Sequence, residues 1–186
     1  MRVVVADDAA LLREGLARLL VEAGFEVAGL APDAEELFDL VEHSQPDVAV
    51  VDIRMPPTYT DEGLQAAKQI RARWPRVGIL VLSQHVRASY ALELLSDGTD
   101  GIGYLLKERV ADVEELRAGV ERVGNGDSVI DPLVVEQLVG RPRRGNAPLE
   151  HLTAREREVL ALMAEGGRTR PSPSGCPSPS TRSRNT

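Results

Sequence analysis

Aromatic residues are scarce in this chain: two Phe, three Tyr and one Trp, or 3% of 186 residues. So few rings cannot build a stacking platform for single-stranded nucleic acid. Cysteine is nearly absent. Cys176 stands alone, no internal disulfide framework is possible, and a reducing, cytoplasmic setting is the expectation. No apolar run approaches the roughly 20 residues that span a bilayer, so no membrane partner is expected. The chain opens on a strand-like run, so a secreted or membrane class is not expected. An excess of basic charge is also missing. Lys+Arg number 22 against 29 Asp+Glu, a net charge of −7, which excludes a basic nucleic-acid clamp as the character of the whole chain. What remains is a 42% hydrophobic composition, enough to build an ordinary core.

The charge is unevenly spread. Residues 167–186 hold four arginines (Arg168, Arg170, Arg182, Arg184), four Pro, five Ser, no acid and no aliphatic residue. Such a segment has nothing to bury, which predicts a disordered tail. The first 166 residues carry 18 bases against 29 acids and form the acidic, globular part.

That part alternates strand and helix signals. Val3 to Ala6 is a short apolar run apt for a central parallel strand, and it ends at Asp7-Asp8. Leu12, Leu16, Leu19 and Leu20 follow at helical spacing, closed by Gly24. Further strands are predicted over residues 25–30, 48–53, 78–82 and 102–106. Helical stripes stand between and after them: Leu37, Leu40 and Val41; Leu64, Ala67, Ile70 and Trp74; Tyr90, Leu92, Leu94 and Leu95; Val113, Leu116, Val120 and Val123. Five β-α units predict a five-stranded parallel sheet with helices on both faces.

In such sheets ligands bind beyond the carboxyl ends of the strands. Asp7 and Asp8, Asp52, Ser83 and Lys107 stand at those ends. Taken singly, each has a plain structural role. Asp7-Asp8 suits a solvated strand end or a helix cap, Ser83 a cap, and Lys107 a surface charge. Together they form one rim. Three carboxylates in one pocket repel each other unless a cation lies between them. Oxygen-only ligation suits a hard ion such as Mg²⁺. A carboxylate beside such an ion can attack phosphorus, with an ammonium and a hydroxyl to neutralise the equatorial oxygens.

The segments VVVADD, VAVVDIRMP, GILVLS and GYLLK together make residues 1–124 resemble the receiver domain of bacterial two-component response regulators. The resemblance implies a flavodoxin-like (βα)5 fold and phosphorylation of Asp52 by a sensor histidine kinase. It implies Mg²⁺ held by Asp8, Asp52 and the backbone carbonyl of Arg54, with Asp7 supporting through water. Ser83 would be the switch hydroxyl, Lys107 the ammonium beside the phosphoryl group, and Tyr104 an aromatic rotamer switch, for which ordinary strand packing is the alternative. Catalysis would extend only to the domain's own phosphorylation and dephosphorylation. Two features depart from the usual pattern. Glu108 follows Lys107 where Pro is frequent, and the loop Pro56-Pro57-Thr58-Tyr59-Thr60-Asp61-Glu62-Gly63 is longer than the usual turn; it flanks the site and is expected to tune autodephosphorylation or partner choice, with the choice between them left open.

Residues 125–147 read as an interdomain linker with a short helix near Leu133–Leu138. Residues 148–166, PLEHLTAREREVLALMAEG, open on a capping box, Thr153 to Glu156. They resemble the first helix of a LuxR-type helix-turn-helix of the NarL/FixJ class. In that family further helices follow, and one enters the major groove. Residues 167–186 cannot supply them, being rich in Pro and without apolar period. With suitable wobble bases, the codons of Arg170 to Thr186 read one register later as AIAERLSVTEHAVEKH, which matches the missing module. The expectation is a frameshifted tail, a residual helix and loss of DNA binding, with homodimerisation on phosphorylation left open. Two other readings compete: a stand-alone receiver acting as phosphate sink or interaction switch, and an aspartate-nucleophile phosphatase of haloacid-dehalogenase type. The latter wants a second Asp two residues after the nucleophile, where Arg54 stands.

Overall fold

The computed structural model describes residues 1–96 and 98–140. The residual helix expected in 148–166, the tail in 167–186 and the end of the linker, 141–147, lie outside the described residues. Six parallel strands form one sheet: β1 (Arg2–Ala6), β2 (Glu26–Ala31), β3 (Val48–Asp52), β4 (Gly78–Ser83), β5 (Ile102–Leu106) and β6 (Val129–Ile130), in the spatial order β2-β1-β3-β4-β5-β6. Six helices connect and flank them: α1 (Ala10–Glu22), α2 (Ala34–Ser44), α3 (Glu62–Arg73), α4 (Ala88–Leu95), α5 (Val113–Gly124) and α6 (Pro132–Gly140). Among the described residues no helix is long and apolar enough to cross a membrane.

The alternation of side chains along each strand sends odd and even residues to opposite faces. Val3, Val5, Val48, Val50, Leu80 and Leu82 pack with Leu16, Leu20, Leu116 and Val120 from α1 and α5. Val4, Ala49, Val51, Ile79 and Val81 pack on the other face with Leu37, Val41, Leu64, Ile70 and Leu94 from α2, α3 and α4. Each fully buried aliphatic side chain of this kind contributes about 1.5–3 kcal/mol, so the strands that end at the rim are held rigidly from both sides. Helix boundaries follow local chemistry. The Asp33 side chain caps α2 through Glu36 N–H at 2.9 Å, Asp112 caps α5 through the amides of Glu114 and Glu115, and Gly24 leaves α1 at φ +90°.

One expectation needs correcting. The sheet has six strands, and the first part of the linker belongs to it. Val129 pairs with Gly103 and Ile130 with Tyr104. Asp131 N–H then donates to Tyr104 O at 2.8 Å. The linker helix is present as α6, with Val134 wholly buried against the α2–α4 side of the core. A two-residue strand is too short to show a period, so it left no pattern to read; its β-branched pair Val129-Ile130 was the one signal.

Candidate functional site

Every strand-end residue singled out in the sequence lies on one rim. Asp7 and Asp8 follow β1, Asp52 ends β3, Ser83 ends β4, and Lys107 follows β5. Asp7, Asp8 and Asp52 each place a carboxylate oxygen within 4.8 Å of the others. Asp7 is wholly buried and Asp52 nearly so, whereas Asp8 is exposed. Lys107 Nζ lies 2.7 Å from Asp7 Oδ2 and 3.0 Å from Asp52 Oδ2, bridging the two buried acids.

The three carboxylates are not equivalent. Asp7 has both oxygens engaged: Oδ1 accepts from Ala9 N–H at 2.9 Å and Oδ2 from Lys107. Its own carbonyl accepts from the Arg13 guanidinium at 2.5 Å. It therefore orients Lys107 and stands behind the site. Asp8 and Asp52 instead line a cleft of about 250 Å³, together with Ile53, Arg54, Ser83 and Arg87. Burial pushes the Asp52 carboxyl up to about 6; Lys107 opposes this, and the neighbouring charges of Asp7 and Asp8 add to it. A buried carboxylate with one ammonium partner and two acidic neighbours lacks counter-charge. The donor set, all oxygen, fits a hard divalent cation between Asp8 and Asp52.

Ser83 and Tyr104 meet at one backbone atom. Ser83 Oγ donates to His85 O at 2.8 Å and accepts from His85 N–H at 3.3 Å, while Tyr104 Oη lies 3.4 Å from the same His85 carbonyl. Tyr104 is wholly buried, and burial pushes its phenol above the ordinary value. Arg54 lines the cleft beside Asp52.

Two contributors, Gly63 and Asp131, escaped the sequence reading in their roles, and a third, Tyr59, lies in the loop that the sequence places beside the site. Gly63, in the first turn of α3, donates its N–H to Ile53 O at 2.9 Å. A Cβ there would sit 1.7 Å from the carbonyl oxygen of Asp52, so only glycine lets α3 close onto the end of β3. Asp131 is wholly buried beside the rim, and its carboxylate accepts from Leu133 N–H at 2.9 Å and Arg109 Nε at 3.3 Å. The Asp-Pro pair at the start of α6 was its legible signal, an N-cap followed by proline at the first helical position. Tyr59, in the long β3–α3 loop, reaches the cleft wall.

The comparisons agree with one another. The family model of the response regulator receiver domain matches residues 3–121. The chain is 37% identical over 185 residues to the transcriptional regulatory protein DegU of Brevibacillus brevis, covering 89% of this chain and 75% of that one. In structure it is similar to a LuxR-family two-component response regulator from Aurantimonas sp. SI85-9A1, with TM-score 0.66 and 27% identity over 75% of this chain and 95% of that one. It is also similar to the signal receiver domain of the putative response regulator NarL from Mycobacterium tuberculosis, with TM-score 0.59 and 32% identity over 67% of this chain and 96% of that one.

Proposed function

The chain belongs to the response regulator receiver family and is a two-component phosphorelay protein, and from that premise we propose that Asp52 is its phosphoacceptor and a sensor histidine kinase its donor. The observation that carries this is the nearly buried Asp52 carboxylate, open to a cleft, bridged by Lys107 and flanked by two further acids. An Asp52 oxygen attacks the phosphorus of a phosphohistidine. The new O–P bond forms as the N–P bond breaks, and the electron pair returns to the imidazole nitrogen. Lys107 lies on the Asp52 side of the cleft and neutralises charge on the transferred oxygens.

Asp8, Asp52 and the Arg54 carbonyl would hold Mg²⁺, with Asp7 supporting through water. When bound, the ion supplies charge neutralisation for the phosphoryl oxygens. Ser83 is the switch hydroxyl: on phosphorylation it leaves the His85 carbonyl for a phosphoryl oxygen. That frees the carbonyl for a closer bond from Tyr104, which carries the change to β5 and the strand and helix beyond it. The chain's own chemistry is confined to gaining and losing this phosphoryl group, in a cytoplasmic setting.

DegU is named a transcriptional regulatory protein. By analogy, phosphorylation in intact relatives of this chain would promote pairing with a second copy and control DNA binding. The composition of residues 167–186 favours a second reading for this chain itself: a receiver without operator-specific binding, left by a shifted reading frame.

The test is intact-mass measurement after incubation with Mg²⁺ and acetyl phosphate. The wild type gains one phosphoryl group and Asp52→Asn gains none. Equal labelling of the two removes the assignment. A gel shift with promoter DNA and excess competitor checks the second reading: the expected result is no competitor-resistant complex.

A further inference from the structure

The β3–α3 loop carries a residue in an unfavourable conformation at the edge of the cleft. Tyr59 has φ +59°, in the left-handed region that disfavours a side chain. The residues on either side hold it there. Glu62 accepts Thr58 N–H at 3.0 Å on Oε1 and Thr60 N–H at 2.9 Å on Oε2, and the Thr58 hydroxyl also donates to it. Tyr59 N–H itself donates to Met55 O at 3.1 Å. Slight desolvation raises the Glu62 carboxyl, but these bonds to Thr58 and Thr60 outweigh it and hold the group below the ordinary carboxylate value, so the clamp is charged at neutral pH. A two-oxygen clamp across three residues leaves the middle one little freedom to relax.

The Tyr59 ring is half exposed, yet it lines the same cleft as Asp8 and Asp52. The end of the β4–α4 loop contributes Arg87 to that cleft and the first turn of α4 contributes Tyr90, with the Arg87 guanidinium 5.5 Å from the centre of the Tyr90 ring. Two loops thus wall the opening above Asp52. Glycine would satisfy the backbone at position 59 without strain, and serine or asparagine would satisfy the solvent. Among the described residues the Tyr59 side chain has no hydrogen-bonding partner. Strain held in place by a dedicated clamp at the mouth of a reactive site points to a role in the chemistry.

We propose that Tyr59 sets how long the phosphoryl group survives on Asp52, by screening the phosphorus from solvent water. This rests on the reading of Asp52 as phosphoacceptor. Loss of the group is a hydrolysis. A water oxygen bonds to phosphorus, the bond from phosphorus to the Asp52 oxygen breaks, its electron pair returns to the carboxylate, and the water protons pass to inorganic phosphate and solvent. The mouth of the cleft is the solvent's way to the face of the phosphorus opposite Asp52. A ring placed there lowers the frequency of productive attack.

The full chain is phosphorylated with acetyl phosphate and Mg²⁺, freed of donor by desalting, and the decay of the added mass is followed for wild type, Tyr59→Gly and Tyr59→Phe. Thermal melting is recorded in parallel. Tyr59→Gly should lose its phosphoryl group about three to ten times faster than wild type, while its melting temperature stays equal or rises because the backbone strain is relieved. Tyr59→Phe should decay as the wild type does, since the ring and not the hydroxyl is the screen. Equal or slower decay in Tyr59→Gly overturns the proposal, as does Tyr59→Phe decaying like Tyr59→Gly. A wild type that takes up no phosphoryl group overturns the phosphoacceptor reading first and this one with it.

Discussion

Two buried carboxylates near the strand-end rim face opposite circumstances. Asp131 is sealed in by fixed donors: the Leu133 amide, the Arg109 guanidinium and, more distantly, the Leu106 amide at 3.4 Å. Its bonds to Leu106 and Arg109 tie the β6–α6 segment to the receiver sheet, and its bond to Leu133 caps α6. Asp52 is buried almost as deeply but has one ammonium partner, which it shares with Asp7, and faces two like charges. A buried charge is tolerated when it is hydrogen-bonded and paired. Asp131 meets that condition within the fold. Asp52 meets it only in part, and on the proposed reading the remainder comes from outside, as a cation. The same side chain is a rivet in one place and, on the proposed reading, a reactive group in the other, and the number of fixed donors around it makes the difference.

The comparison breaks most severely at the backbone. Gly63→Ala drives a methyl group into the Asp52 carbonyl, and backbone cannot yield as a side-chain tip does. Either α3 or the end of β3 must shift. A loss of about 3 kcal/mol or more is expected in urea unfolding, at the upper end for overpacking, together with loss of phosphoryl uptake. A variant of wild-type stability that still takes up phosphate would show that α3 is free to slide and that the rim is not held through this contact.

Removal of the rivet comes next. Asp131→Ala leaves the Leu133 amide and the Arg109 guanidinium without their acceptor and uncaps α6. About 2–3 kcal/mol should be lost, discounted from a fully buried pair because Arg109 is partly exposed. Phosphoryl uptake at Asp52 should persist, since no atom of Asp131 belongs to the cleft lining. Amide hydrogen exchange should show lost protection confined to Val129 through Val139. If uptake disappears as well, the two carboxylates form one unit and the distinction fails.

This distinction explains what could be read from the sequence. The rim was legible because the strands are apolar on both faces and end abruptly. Against Val48 to Val51 the charge of Asp52 stands out, and the same holds for Lys107 after Leu105-Leu106. Asp131 was passed over although the Asp-Pro pair marks a helix start, because it follows a strand of two residues and its distant partners, Arg109 and the Leu106 amide, are brought to it only by the fold. Gly63 was hidden for another reason. Its meaning lies in a tertiary close approach, and one glycine in a helical stripe says nothing of what lies above it. Tyr59 read only as one member of a long loop flanking the site; nothing singled it out within the loop, because a left-handed backbone leaves no sequence mark when the residue is neither Gly nor Asn.

The smallest expected effect has the most diagnostic sign. Removing charge from Asp131 should destabilise the protein, whereas removing it from Asp52 should stabilise it. The folded state holds a proton on Asp52 up to about pH 6, whereas the unfolded chain releases it near 3.8. Between those values the folded state binds more protons, so this group's contribution to stability falls as pH rises. Its unfavourable effect is absent below the lower value and complete above the upper one. Asp52→Asn carries no such charge. In EDTA, wild type and variant should therefore differ little near pH 4 and separate by about 1–2 kcal/mol in the variant's favour by pH 8, read from urea midpoints across that range. Adding Mg²⁺ at pH 8 should narrow the gap, because a cation held by Asp8 and Asp52 stabilises the wild-type folded state selectively. Were Asp52→Asn the less stable protein at pH 8 without divalent ions, Lys107 alone would satisfy the carboxylate, and Asp52 would be a second rivet.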